Sequence, residues 1–209
     1  MEDILMKKLI ALIALVGIMV LTFSFTTLGA SQVYFDYIVD GEWEEGDLTG
    51  FVFGLNYKND LYKFGIDYLT GEIEKEVDYT QMSLKGGYGI TDNVFVTLSM
   101  FDGSAEEAGV EISANGFLLG ADLSYDFSDQ LSFEGSFGIS LVGEIEASIS
   151  GYGSASEDAD IMIFNLKLIY NVSDSVGVSF SYNDFSVDPE SGGGSLDGNY
   201  ITIGAAYKF

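Results

Sequence analysis

The chain has no histidine, no cysteine, no arginine and a single proline in 209 residues. Without cysteine there is no disulfide framework, thiolate metal site, thiol nucleophile or lipidated N-terminal cysteine. Without histidine, Ser–His activation and the commonest general base are gone, which leaves carboxylate pairs as the formal route to catalysis. Lysine supplies all 8 cations against 33 acidic residues, a formal charge of −25. The clustered basic surface that phosphate binding needs is missing, so nucleic acid is excluded as a partner. No Pro-rich, Gly/Ser-rich or charge-block linker divides the chain. No stretch after Ala30 keeps a 3.6-residue apolar repeat over three turns, so helices are not expected there.

Residues 1–30 read as a secretory signal peptide. Lys7 and Lys8 precede an uncharged run from Leu9 to Phe25, which ends at the small-residue segment Leu28-Gly29-Ala30. Glu2 and Asp3 are out of place in such a leader, and a chain starting at Met6 would open Met-Lys-Lys. The alternative is an uncleaved membrane helix, for which about 17 apolar residues is the lower limit. Cleavage leaves a mature domain of residues 31–209.

The mature part is rich in what extended segments use: 26 Gly, 16 Phe and 13 Tyr in the chain, with a positive mean hydropathy despite its charge. Period-2 alternation recurs throughout. Four tight turns are marked by Asn59-Asp60, Thr91-Asp92-Asn93, Ser128-Asp129-Gln130 and Ser173-Asp174-Ser175. Longer polar segments lie near 43–48, 71–78, 102–115, 143–160 and 188–198 and read as loops. Between them fall ten strand candidates, near 33–42, 49–58, 61–70, 79–90, 94–101, 116–127, 131–142, 161–172, 176–187 and 199–209. Most have the length a tilted transmembrane strand requires. An even number of strands with short turns on one side and long loops on the other is the layout of an antiparallel up-and-down outer-membrane barrel, with eight strands as the alternative to ten.

The faces have the right content. Ile201, Ile203, Ala205, Tyr207 and Phe209 share one side of the last strand, and Tyr200, Thr202, Gly204, Ala206 and Lys208 the other. Likewise Ile139 and Ser140 are expected on opposite sides, lipid and lumen. A soluble barrel would also alternate, but it has no use for the aromatic residues beside the short turns, among them Tyr57, Tyr62, Tyr88, Tyr125, Phe127, Phe133, Tyr170 and Tyr207.

The closing segment Tyr200-Ile-Thr-Ile-Gly-Ala-Ala-Tyr-Lys-Phe209 resembles the last strand of bacterial outer-membrane barrels, and the hairpin rhythm is similar to that of the small OmpA/OmpX-like group. The resemblance implies a location in the outer membrane, with its lipid as surroundings. It also implies that Ile203, Ala205, Tyr207 and Phe209 form a signal read by the barrel-insertion machinery. Many members of that group have eight strands, a departure that weakens any transfer of function.

No site for chemistry stands out. The barrel enzymes of outer membranes generally use a catalytic histidine, which this chain lacks. Asp122 and Asp126 are four residues apart on one strand face, roughly 13 Å, too far for a hydrolytic dyad. No cofactor is expected. Glu42, Glu44, Glu45 and Asp47, or Glu157, Asp158 and Asp160, offer oxygen ligands for divalent cations, yet no ordered ligand spacing is present and a solvated acidic surface is the simpler reading. The lysines are more informative. Lys58, Lys63, Lys85, Lys167 and Lys208 fall on the polar strand face together with Asp36, Asp40, Asp67, Asp122, Asp126 and Glu134. A charge in a narrow lumen is tolerable when paired, so an internal salt-bridge network is expected, with pore selectivity as the alternative. Two functions fit: a narrow passive pore or membrane-stabilising element, or a surface-binding protein whose acidic loops at Gly143–Asp160 and Asp188–Gly198 contact cations, lipid headgroups or a partner.

Overall fold

The computed structural model describes residues 30–43, 46–74, 76–192 and 195–209. The expected leader, apart from Ala30, lies outside the described residues, as do Glu44, Glu45 and Lys75. Ten antiparallel strands follow one another: β1 Ala30–Trp43, β2 Gly46–Lys58, β3 Tyr62–Ile73, β4 Val77–Thr91, β5 Val94–Glu107, β6 Val110–Asp126, β7 Leu131–Ile149, β8 Gly153–Asn171, β9 Val176–Pro189 and β10 Leu196–Lys208. Each pairs with its sequence neighbours, and β1 closes on β10 from Gln32↔Lys208 to Trp43↔Gly198. Closure gives every strand a neighbour on both sides over the lower part of the barrel, the condition for a sheet to cross lipid.

The four short turns are held by side chains that accept backbone N–H groups. Asn59 Oδ1 takes those of Leu61 (2.9 Å) and Tyr62 (2.6 Å), Thr91 Oγ1 that of Val94 (3.1 Å), Ser128 Oγ that of Leu131 (3.1 Å) and Ser173 Oγ that of Val176 (3.1 Å). On the opposite side two of the expected loops are instead strand. The segments 102–115 and 143–160 belong to β5 and β6, and to β7 and β8. β5 and β6 join at Ala108 and Gly109, both at positive φ (49° and 86°) as a tight hairpin requires.

These extensions carry a change of face. In β8 the outward residues Met162, Phe164, Leu166, Leu168 and Tyr170 are apolar, but above them Asp160, Asp158 and Ser156 take the same side. The inward residues do the reverse: Lys167 and Asn165 lie below, Ile163, Ile161 and Ala159 above. The same inversion occurs in β3, where Ile66 and Tyr68 give way outside to Thr70 and Glu72 while Lys63 and Asp67 give way inside to Leu69 and Ile73. The lower half is thus apolar against lipid and polar within. The upper half is built like a soluble barrel, polar against water and apolar within, so the single polar inner face read from the sequence is corrected here. Two buried clusters fill that upper interior. One contains Ile38, Leu48, Leu69, Ile73, Tyr79, Phe185 and Tyr200 with Trp43 against them; the other contains Phe101, Ala114, Leu118, Ile161 and Val187.

Two bulges displace the alternation. The β1–β10 register shifts between Ile38 and Asp40, so Ile38 is buried while Asp40 is exposed opposite Ile201, on the outer side. Asp40 therefore is not a lumen residue. In β7 the extra residue Leu141 lets both Leu141 and Val142 face outward, 59% and 67% exposed.

Candidate functional site: the charged lumen

Beside the apolar plug the lumen holds a chamber of about 120 Å³ whose lining includes the inward charges Asp36, Lys63, Asp67, Lys85, Asp122, Glu134 and Lys167. That is room for a small cluster of waters. Alternation delivers these side chains inward from β1, β3, β4, β6, β7 and β8.

The contacts run across the lumen. Asp122 of β6 receives Lys63 Nζ at 2.8 Å and Lys85 Nζ at 3.1 Å, from β3 and β4. Asp36 of β1 receives Lys167 Nζ of β8 at 2.8 Å and the Ser179 hydroxyl of β9 at 2.7 Å. Lys167 Nζ also lies 3.6 Å from the centre of the Tyr34 ring, and the Tyr34 hydroxyl donates to Asp67. Each contact joins strands that are not neighbours, so together they brace the cross-section. The carboxylates of Asp122 and Asp36 are 1% and 3% exposed. Charges so confined are tolerable because each has partners on more than one side. Two glycines make room: a Cβ at Gly54 would run into the Tyr34 ring, and one at Gly204 into the Asp36 carboxylate.

The other expected lumen residues are placed differently. Lys58 donates to the Ser124 hydroxyl, with Nζ 5.3 Å from the centre of the Phe95 ring. Lys208 donates to Asn171 Oδ1 at 2.9 Å near the short-turn rim. Among the described residues neither lysine has an ion-pair partner. Asp126 points inward but is exposed at the same rim, and Glu134 stands beside Lys167 in register. Tyr34, Ser179 and the Ser181–Thr202 pair, with hydroxyls 2.6 Å apart, are site residues that charge alone does not flag. Their signal is parity, since all fall on the side shared with the lysines.

The arrangement holds charge still rather than exposing it. Asp122 is committed to two lysines and Asp126 is a rim residue. Among the described residues no group of three or more carboxylates comes together to hold a metal ion. On β8, Glu157 faces inward and Asp158 and Asp160 outward, so the expected acidic ligand set is split between two faces.

A closed antiparallel barrel with an apolar outer band and an ion-paired interior at the same level is a transmembrane β-barrel, at home in a bacterial outer membrane. The chain belongs to the outer membrane protein beta-barrel domain family, whose model matches residues 18–209. Among solved structures it is similar to Neisserial surface protein A, at 12% identity over 87% of this chain and 97% of that one, with a TM-score of 0.46. It is similar to Ail, the attachment invasion locus protein of Yersinia pestis, at 14% identity over 87% and 97%, with a TM-score of 0.39. It is also similar to the outer membrane protease OmpT of Escherichia coli, at 12% identity over 87% and 93%, with a TM-score of 0.46. No curated protein matches.

Proposed function

We propose that the protein is a non-enzymatic, non-conducting barrel that serves as a stabilising element of the outer membrane. The observation that supports this reading is the apolar plug. Trp43 lies 4.4 Å from Tyr79 and 4.9 Å from Phe185, centre to centre, and Tyr79, Phe101 and Leu118 are each at most 1% exposed. A conducting path needs a wetted radius along the whole axis, and this interior supplies one only in its lower half. The non-enzymatic part rests on the absence of histidine and on the lysine-bound state of Asp122. Single-channel recording in planar bilayers tests the reading: insertion without discrete conductance steps is expected, and steady steps at low voltage would overturn it.

Two further parts concern biogenesis. Export uses a leader removed near Ser31, which the intact mass of the purified protein decides. Assembly uses Phe209, which stacks on Tyr207 with ring centres 6.2 Å apart and donates its N–H to the Ser31 carbonyl at 2.9 Å. Phe209→Ala is expected to lower the amount of heat-modifiable barrel in the outer membrane while synthesis and export continue. Wild-type amounts would remove the insertion machinery from the list of partners.

A further inference from the structure

The lumen chamber is one positive charge short. Three lysines and four inward-pointing carboxylates line it, Asp184 being turned outward to Tyr182. Asp122 receives Lys63 and Lys85 and Asp36 receives Lys167, the ion pairs found among the described residues. Asp67 and Glu134 have no lysine within ion-pair distance, and the surplus charge on the Asp122 trio offsets one of them at most. The other inward charges are spent elsewhere. Lys58, Lys208 and Asp126 line no part of the chamber: Lys58 is drawn to the Ser124 hydroxyl, one inward position from Asp126, and Lys208 to Asn171 at the rim. A carboxylate confined without a counter-charge is costly, so the deficit calls for a cation from solution.

The deficit centres on Asp67. Its carboxylate takes the Tyr34 hydroxyl, a neutral donor, while Lys85 and Lys167 act on it from a distance and are each engaged by another carboxylate. Glu134 and Asp122 add to the negative field there. Neutral oxygens stand next to it. Ser83 is its register partner on β4, and Asn56 Oδ1 of β2 lies over Gly65, one inward position below Asp67 and 2.7 Å from where a Cβ would stand. Glycine at 65 gives that oxygen its place, and both Ser83 and Asn56 line the chamber.

We propose that the chamber holds one monovalent alkali-metal cation, Na⁺ or K⁺, bound by the Asp67 carboxylate, the Ser83 hydroxyl and the Asn56 amide oxygen, with water completing its shell. Oxygen donors of this kind suit hard cations, and a cavity of about 120 Å³ has room for the ion and a few waters. A divalent ion is the wrong occupant. It would overshoot a deficit of one, and among the described residues no three carboxylates come together to hold it. The ion neutralises the chamber without a path through the plug, so its binding is independent of whether the barrel conducts.

The test follows thermal unfolding of the full folded protein in a zwitterionic detergent, at one pH and one ionic strength, in chloride salts of Li⁺, Na⁺, K⁺, Cs⁺ and the bulky N-methylglucamine cation. A saturable rise in midpoint with Na⁺ or K⁺ over N-methylglucamine is expected. An ion bound only by the folded state stabilises it, whereas screening does not distinguish ions of one charge. Asp67→Asn should stay heat-modifiable and lose the preference. Ser83→Ala keeps the charge, removes one oxygen and should raise the half-saturating concentration several-fold. Glu72→Gln, on the acidic outer wall, should leave the preference intact. Equal midpoints in all five salts would overturn the proposal. A midpoint that ignores the cation but rises as pH falls would overturn it as well, by assigning the missing charge to a proton. A preference that survives both Asp67→Asn and Ser83→Ala, or disappears in Glu72→Gln, would move the ion to the outer wall and equally sink the lumen site.

Discussion

Lys167 sits between the Asp36 carboxylate and the face of Tyr34, with 8% of its side chain exposed. Lys167→Met would keep much of the side-chain volume and strip Asp36 of its cation, leaving the Ser179 hydroxyl as a donor too weak to replace a charge. Urea unfolding in detergent is expected to show a loss of about 3–5 kcal/mol, partly recovered when Asp36→Asn is added. Lys208→Met breaks one bond to a neutral amide at the rim and should cost about 1 kcal/mol or less. Equal behaviour of the two variants would mean that the chamber is wet enough to solvate Asp36. Parity in the sequence put both lysines on the inner face, but parity gives neither height nor the partner across the lumen. The pairing of Lys167 with Asp36, 131 residues away, depends on shear accumulated around the closed barrel and was not legible.

The strand is the scale at which the face inversion matters, and β3 shows its energetics on one surface. Ile66 and Glu72 both point outward, six residues apart. Ile66→Lys would put an ammonium against lipid and should cost about 2–4 kcal/mol near the midplane. Glu72→Lys, on the water side of the boundary and opposite Asp78, should instead gain about 0.2–1 kcal/mol by replacing a like-charge pair with an opposite one. Unfolding free energies for the two variants check this, and matched losses would place the whole strand in one medium. The lower ends of the strands were legible because Asn, Thr and Ser open every short turn and aromatic residues flank them. The upper ends were not. Alternating Glu, Ser and Asp with Ile and Ala has the composition of a loop, although its period is that of a strand with an apolar inner side. Ser140 reads as a lumen residue and does face inward, in register with buried Leu118, but the sequence does not reveal that its Oγ accepts the Ile161 N–H at 2.8 Å beside the β7 bulge. Nothing in a local pattern announces a bulge, and the same limitation misplaced Asp40.

Across the whole molecule the cations and anions are sorted. The lysines described lie inside, and the upper outer wall carries carboxylates, with Glu72, Asp78, Glu106 and Glu111 at one level of four successive strands. Such a wall repels itself, and salt relieves it: the screening length falls from about 30 Å at ~10 mM to about 3 Å at ~1 M. The thermal midpoint in a zwitterionic detergent is expected to rise with NaCl over that range. A fall would mean that the lumen pairs, which salt reaches least, are the more strongly screened.

The boundary between apolar and acidic outer surface also acts as a vertical stop. From Met162 in β8 to Val172 just beyond it, the outward side chains are continuously apolar except at the turn, a span of about 33 Å along the strand and about 25 Å of height at a ~40° tilt. Sinking by one outward position would drag Asp160 and Asp102 into hydrocarbon, and rising by one would lift Tyr170 and Tyr207 out of the interface. The barrel cannot slide to suit its surroundings, so the surroundings must adjust to it. Lipid chains next to the wall would compress or stretch to meet a fixed hydrophobic height, and a thicker bilayer would be drawn thin around each molecule.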